Sequence, residues 1–120
     1  MGRNDNPVGI MTSMDRDDWF KVYQNLLPEN EESLNEIQSS LMILCLDGDS
    51  SSLHPGDYGA RTVAQSIHGH GSKFFTGNRW FDTTLQLFIG RSGENGLVIE
   101  HSGAEALPPI IISNHALQCA

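Results

Sequence analysis

The sequence has few cysteines and no long apolar run. Its two cysteines, Cys45 and Cys119, lie too far apart in the chain to suggest a disulfide framework, which favours a reducing compartment. No apolar stretch approaches the roughly 20 residues that a membrane-spanning helix needs. The first residues are not followed by the apolar segment of a signal peptide. We therefore expect no transmembrane segment.

Positive charge is also scarce. Seven Lys and Arg residues stand against fifteen Asp and Glu residues, which gives a formal net charge of -8. Nucleic acids and anionic membranes are bound by clustered Lys and Arg, so we expect no nucleic-acid partner. The sequence also lacks a phosphate-binding P-loop, a glycine-rich dinucleotide fingerprint and the Ser-centred elbow of lipases.

The length allows one domain at most, so we treat residues 1–120 as one partial domain. Residues 1–13 are expected to form a flexible N-terminal segment, a loop with a short extended piece over Pro7–Met11. Asp15 can then cap a helix whose apolar residues recur at three- and four-residue steps, and Pro28 is predicted to end that helix.

Further helices and three strands are predicted beyond Pro28. A second helix begins near Asn30, a third covers Asp57–Ile67, and Pro108-Pro109 can open a final helix or strand. The continuous apolar run Leu41–Leu46 predicts a strand buried on both faces, with Cys45 as a buried free thiol. A flexible surface loop is expected over residues 47–52.

The last two strands are predicted to form a β-hairpin. Thr84–Ile89 and Leu97–Glu100 have strand character, and the residues between them, Arg91–Gly96, have turn chemistry. Helices and strands in this order predict an α/β fold in which a mixed sheet is packed against helices.

His101 follows the second strand of this hairpin directly. A rigid strand end can hold an imidazole from behind while its ring faces a cleft, which suits a general base. Glu105 follows four residues later, after the small residues Ser102, Gly103 and Ala104. We therefore take His101 as the candidate catalytic residue and Glu105 as its candidate partner.

The segment Asn78-Arg79-Trp80-Phe81-Asp82 is unusual because it combines an amide, a guanidinium, two aromatic rings and a carboxylate. We interpret its polar residues as a scaffold for the histidine-bearing hairpin. A simpler alternative is an aromatic anchor held by an Arg79–Asp82 pair.

Several of these motifs, in the same order, resemble the carnitine/choline acyltransferase family, and most closely its carnitine acetyltransferase branch. The similarity extends from about Pro7 to about Leu117 and rests on these segments: Arg16-Asp17-x-Trp19, Tyr23-x-x-Leu26, Cys45-Leu46-Asp47, His68-Gly69-x-Gly71, Gly77–Asp82, Leu85-Gln86, Gly96–Val98, Glu100–Ser102, Ala104-Glu105 and Pro108-Pro109. Several separated motifs in one order are far more specific than any one alone.

The resemblance implies an acyltransferase in which His101 is the general base. It would take the proton from the hydroxyl of carnitine or choline while the oxygen attacks the thioester of acyl-CoA, the co-substrate. Glu105 is implied to orient the site or tune its charge, with a structural hydrogen bond or ion pair as an equal alternative. The resemblance also implies a chloramphenicol-acetyltransferase-like domain, and a mitochondrial or peroxisomal location. No bound cofactor or metal is expected.

The chain departs from the family's usual sequence at several positions, and it is much shorter. Thr83 stands where lysine is usual, His70 replaces a glycine, and Ala106-Leu107 stand where one glycine is usual. Family members are several times longer, and their CoA-binding, carnitine-binding and oxyanion-stabilising residues are expected beyond Ala120. We therefore expect the isolated chain to be inactive.

Two other classes of function remain open from the sequence. Three imidazoles, from His68, His70 and His101, could bind a metal, although their spacing is a weak signal. The chain could also be a non-catalytic interaction module or a truncated relative of the enzymes. Such a chain would expose apolar surface, through which self-association is expected.

Overall fold

The computed structural model describes residues 7–102 and 105–119, in which helices and strands form a mixed α/β fold. The α-helices and strands, in chain order, are α1 Arg16–Ser39, β1 Ile43–Asp47, α2 Tyr58–His68, β2 Leu85–Gly90, β3 Asn95–Ile99 and α3 Leu107–Cys119. Two short 3-10 helices cover Val8–Ser13 and Thr76–Asn78. The predicted fold class is confirmed.

The three strands form one mixed sheet in the order β1-β2-β3. Strand β1 runs parallel to β2, with Cys45 opposite Phe88, and α2 lies in the connection between them. Strand β3 returns antiparallel to β2, with Ile99 opposite Leu85, so the predicted hairpin is confirmed. Gly96 lies beside the fully buried ring of Phe88, and an added Cβ there would lie 2.6 Å from that ring.

Strand β1 was predicted to be buried on both faces, and this is wrong. Cys45 and Asp47 are buried, but the alternate residues Leu44 and Leu46 are more than half exposed. Successive side chains of a strand point to opposite faces, and among the described residues β1 is an edge strand with one face covered. The prediction of a buried Cys45 thiol is confirmed.

Helix α1 begins where predicted but does not end at Pro28. The Asp15 carboxylate accepts a hydrogen bond from the backbone N–H of Asp17 at 3.0 Å and caps the helix. Pro28 lies inside the helix, and the backbone departs from helical geometry at Asn30, where φ is -130° and ψ is 19°. The side-chain amide of Asn30 donates to the carbonyl of Leu26 at 2.9 Å. A kink therefore replaces the predicted gap between two helices.

The segment Val8–Ser13 is a 3-10 helix and not the predicted loop with an extended piece. It packs closely, because a Cβ added to Gly9 would lie 2.1 Å from the carbonyl oxygen of Arg79. The Thr12 hydroxyl accepts a hydrogen bond from the backbone N–H of Phe81 at 2.8 Å. Residues 1–6 of the predicted N-terminal segment lie outside the described residues.

The helix predicted over Asp57–Ile67 is confirmed as α2, within one residue at each end. The Asp57 carboxylate caps it by accepting from the backbone N–H of Ala60 at 2.8 Å, and Gly69, with φ of 60°, ends it. Pro108-Pro109 open a helix, α3, and not a strand. Neither α3 nor any other helix within residues 7–102 and 105–119 is long and apolar enough to cross a membrane.

Candidate active site

A buried ion pair connects the end of β1 to the start of the Asn78–Asp82 segment. Two guanidinium nitrogens of Arg79 donate to the two carboxylate oxygens of Asp47, at 2.9 and 2.6 Å. Both side chains are almost fully buried, at 1% and 0% exposure. Asp47 was predicted to lie in a flexible surface loop, and that prediction is wrong because Asp47 is the last residue of β1. The alternative Arg79–Asp82 pair is also wrong, since Arg79 binds Asp47.

Two amide side chains complete the environment of the Asp47 carboxylate. Gln65 of α2 donates to it at 2.6 Å, and Asn78 donates at 2.9 Å. The Arg79 guanidinium also lies over the ring of Phe88, 5.1 Å from its centroid. Helix α2, strand β1 and the Asn78–Asp82 segment therefore meet at one carboxylate, and strand β2 packs against its Arg79 partner.

The rest of the Asn78–Asp82 segment is held by four further contacts. The Trp80 backbone N–H donates to the buried Gln86 side chain of β2 at 2.7 Å. The Asp82 carboxylate accepts from the indole N–H of Trp19 at 2.7 Å and also forms an ion pair with Arg16. The hydrogen bond from Phe81 to Thr12 adds a link to the N-terminal 3-10 helix. These contacts fix the segment to α1 and to the hairpin, as expected of a scaffold.

A second ion pair fixes the turn of the hairpin to α2. The guanidinium Nε of Arg61 lies 2.5 Å from a carboxylate oxygen of the buried Glu94. Burial alone would raise the pKa of Glu94, but hydrogen bonds from its own backbone N–H and from Arg61 outweigh burial, so its pKa is lowered. The carbonyl of Glu94 accepts from the backbone N–H of Gly90 at 2.6 Å, which closes the turn.

His101 lies at the opposite end of the hairpin from this turn, two residues after β3. The preceding residue, Glu100, is still bonded to the neighbouring segment of the chain, because its backbone N–H donates at 3.0 Å to the carbonyl of Thr84, the residue before β2. The His101 side chain is 66% exposed. The His101 ring therefore lies just beyond a strand end and is open to solvent.

Glu105 lies beside His101, as the spacing predicted. One carboxylate oxygen of Glu105 is 3.9 Å from Nε2 of His101, and the Glu105 side chain is 89% exposed. That distance is within the range of an ion pair with a protonated ring but too long for a hydrogen bond. Residues 103 and 104, which connect the two, lie outside the described residues.

Glu100 and Ser102, the residues on either side of His101, are hydrogen-bonded to each other. The two carboxylate oxygens of Glu100 accept hydrogen bonds from Ser102, one from the backbone N–H at 3.0 Å and one from the hydroxyl at 2.6 Å. The residues on either side of His101 are thus joined through side-chain atoms. The sequence shows Glu100 and Ser102 next to the histidine, but spacing alone does not show that they bind each other.

The metal-binding alternative receives no support from the described residues. Within residues 7–102 and 105–119, no group of three or more His, Cys, Asp or Glu side chains could hold a metal ion. The structure brings the His70 ring to His54, with 5.9 Å between ring centroids, and not into a cluster with His68 and His101.

A polar cleft of about 320 Å³ lies beside the scaffold. Its lining includes Arg16, Trp80, Asp82 and Thr84, the residue whose carbonyl binds the backbone of Glu100. The cleft therefore adjoins the strand end that carries His101. Among the described residues that line it, Arg16 is the basic one, and it is paired with Asp82.

Comparison with known proteins identifies the family of this chain. Residues 1–119 match the family model described as Choline/Carnitine o-acyltransferase. The chain is 42% identical over 117 residues to carnitine O-acetyltransferase of Mus musculus and 38% identical to that of Homo sapiens, in each case over 96% of this chain and 19% of the relative. It is 34% identical over 115 residues to choline O-acetyltransferase of Mus musculus, over 93% of this chain and 17% of the relative.

The chain thus spans about a fifth of the length of these carnitine O-acetyltransferases. The match nevertheless covers nearly all of the chain, including the buried Asp47–Arg79 pair and the strand end with His101. This chain belongs to the choline/carnitine O-acyltransferase family.

Proposed function

We propose that the chain supplies the catalytic histidine of an enzyme that transfers a short acyl group between acyl-CoA and the hydroxyl of carnitine. The observation that carries the proposal is the 42% identity to a carnitine O-acetyltransferase over 96% of the chain. The lower identity, 34%, to choline O-acetyltransferase favours carnitine over choline as the acyl acceptor.

In this proposal His101 acts as the general base. Its unprotonated ring nitrogen takes the hydroxyl proton of carnitine while the oxygen attacks the thioester carbonyl of acyl-CoA. The new C–O bond forms, the C–S bond breaks, and the proton returns from the imidazolium to the CoA thiolate. An alcohol is a weak nucleophile until a base is aligned with it, and histidine is suited because its ordinary pKa lies near neutral pH.

Glu105 is proposed to stabilise the imidazolium formed in this step. Its carboxylate lies 3.9 Å from Nε2 of His101, so the attraction between them appears when the ring gains a proton. Because both side chains are largely exposed, solvent screens this attraction in the isolated chain. We therefore expect the effect of Glu105 to be larger where the site is closed by the rest of an enzyme.

The isolated 120-residue chain is proposed to be inactive. Its described residues provide a base, but binding and electrostatic stabilisation of the reacting groups supply most of an enzyme's rate. The remaining groups, and the larger chloramphenicol-acetyltransferase-like domain, would come from outside this stretch of sequence. Acyl transfer from acetyl-CoA to carnitine by the purified chain would contradict this proposal.

The proposed activity is tested with a chimera. The matching 117 residues of mouse carnitine O-acetyltransferase are replaced by the corresponding residues of this chain. We expect the chimera to transfer acetyl groups from acetyl-CoA to carnitine. A folded but inactive chimera would contradict the proposed function.

A non-catalytic interaction module is the second candidate, and exposed apolar side chains favour it. The exposed apolar side chains on β1, before it and on α3 include Leu41, Leu44, Leu46, Ile110, Ile111 and Leu117. Such surface is costly in water, so we propose that the isolated chain self-associates. Sedimentation velocity should show species larger than a monomer, and a monomer at high concentration would contradict this.

A further inference from the structure

The residues around His101 are joined by hydrogen bonds that bypass the histidine. The Glu100 carboxylate accepts from the Ser102 backbone N–H at 3.0 Å and from the Ser102 hydroxyl at 2.6 Å. We call this pair of bonds the Glu100–Ser102 clip. It closes a small ring that contains the backbone of His101. This ring restricts the backbone conformation of His101 and therefore the direction in which its side chain projects.

The clip is attached to the sheet at one end. The Glu100 backbone N–H donates to the Thr84 carbonyl at 3.0 Å, and Thr84 follows closely on the anchored Asp82. The pKa of Arg16 is raised mainly by the hydrogen bond and the charge of Asp82, and the charge of Glu100 adds a smaller contribution in the same direction. The Glu100 carboxylate therefore lies within electrostatic reach of the start of α1. Glu100 therefore links the fixed scaffold to the exposed turn that carries His101.

We propose that Glu100 is a positioning residue for His101, with Ser102 as its partner; this inference rests on the proposed function of His101 as general base. His101 and Ser102 lie outside helices and strands and are exposed, so the clip restrains their backbone where no hydrogen bond of a helix or strand does. A general base works when it is within hydrogen-bond reach of its proton, and a displacement of about 1 Å can lower the rate about 100-fold.

The first test uses the chimera with mouse carnitine O-acetyltransferase. Glu100→Ala removes both bonds and should lower kcat about 10- to 100-fold, with KM for carnitine and acetyl-CoA changed less than about twofold. Ser102→Ala removes the hydroxyl bond and should have a smaller effect. Glu100→Gln retains one acceptor oxygen for the Ser102 N–H and should recover part of the loss. Glu31→Ala, an exposed acidic residue of α1, is the matched control and should leave kcat unchanged.

The second test uses the 120-residue chain itself. Amide hydrogen exchange followed by NMR reports whether the Ser102 N–H is bonded. Glu100→Ala should speed exchange at Ser102 about 10-fold, whereas Ser102→Ala should leave it slow, because the backbone bond persists. Exchange at Ser102 that is unchanged by Glu100→Ala would overturn the inference.

The two proposals fail in different ways. An inactive wild-type chimera would contradict the proposed function, and the exchange experiment would still decide whether the clip exists. An active chimera in which Glu100→Ala leaves kcat unchanged would overturn the positioning role and leave the proposed function intact. If Glu100→Ala lowers kcat only in proportion to the loss of folded protein, Glu100 has a structural role only. That result would also overturn the inference.

Discussion

The sharpest stability prediction concerns the buried Asp47–Arg79 pair. Replacing Asp47 by Leu leaves the Arg79 guanidinium, which is 1% exposed, without its counter-charge. Removing one partner of a buried ion pair costs about 3–5 kcal/mol, because the remaining charge is buried and uncompensated. A small domain is stable by about 5–15 kcal/mol, so this one substitution should remove a large part of the free energy of unfolding.

The double variant Asp47→Leu with Arg79→Met should be more stable than Asp47→Leu alone. Removing both charges ends the electrostatic penalty, and apolar replacements of similar volume often restore the stability of a buried pair. Gln65 and Asn78 lose an acceptor in both variants, so their effect cancels in the comparison. We expect a coupling free energy of about 2 kcal/mol or more between the two positions.

Urea unfolding followed by circular dichroism measures these values for the four members of the cycle. The control is the exposed Asp18–Lys21 pair, in which Nζ of Lys21 lies 2.8 Å from Oδ1 of Asp18. It should show a coupling free energy of about 0.5 kcal/mol or less. A coupling at Asp47–Arg79 no larger than that of the control would refute the reasoning. So would a loss below about 1 kcal/mol for Asp47→Leu.

Two further predictions concern reactivity and pH. Burial raises the pKa of the Cys45 thiol, although Arg79 partly opposes it, and Cys119 is exposed, so a thiol reagent should modify Cys119 in the native chain and both cysteines in urea. Burial, then His54 and His68, lower the pKa of His70 from 6.5. The unfolded chain then binds more protons just below pH 6.5, so stability should fall as pH falls through that window. His70→Asn should reduce this slope in urea titrations, and an unchanged slope would contradict the assignment.

Short-range sequence patterns predicted the turns and helix starts of the fold. The turn residues between two apolar runs predicted the β2–β3 hairpin, and the capping carboxylate of Asp15 predicted the start of α1. The effect of Pro28 was less predictable, because the chain continues helically through it and kinks at Asn30. Tertiary packing decides between a kink and a break.

The buried ion pair could not be predicted from local pattern. Asp47 is followed by Gly48 and Asp49, a composition typical of loops, whereas its partner Arg79 is 32 positions away. The nearby Asp82 appeared to be the simpler partner for Arg79. The available signal was that Asp47 closes the Cys45-Leu46-Asp47 motif shared with the family, which marks it as more than a loop residue.

The candidate site was predictable in outline. The spacing of His101 and Glu105 and their place after the hairpin follow from the sequence, and the structure brings them to 3.9 Å. Their catalytic roles remain proposals. The Glu100–Ser102 clip was not predicted, because side-chain bonds between residues two apart depend on backbone directions that periodicity does not specify.

The most direct test of the account compares His101→Ala with His115→Ala in the chimera with mouse carnitine O-acetyltransferase. His115 is an exposed histidine of α3 and serves as the matched control. The rate of acetyl transfer from acetyl-CoA to carnitine should fall about 100- to 10,000-fold for His101→Ala, the range typical of a lost general base. The rate for His115→Ala should stay unchanged. A His101→Ala chimera that folds and keeps the wild-type rate would contradict the central claim.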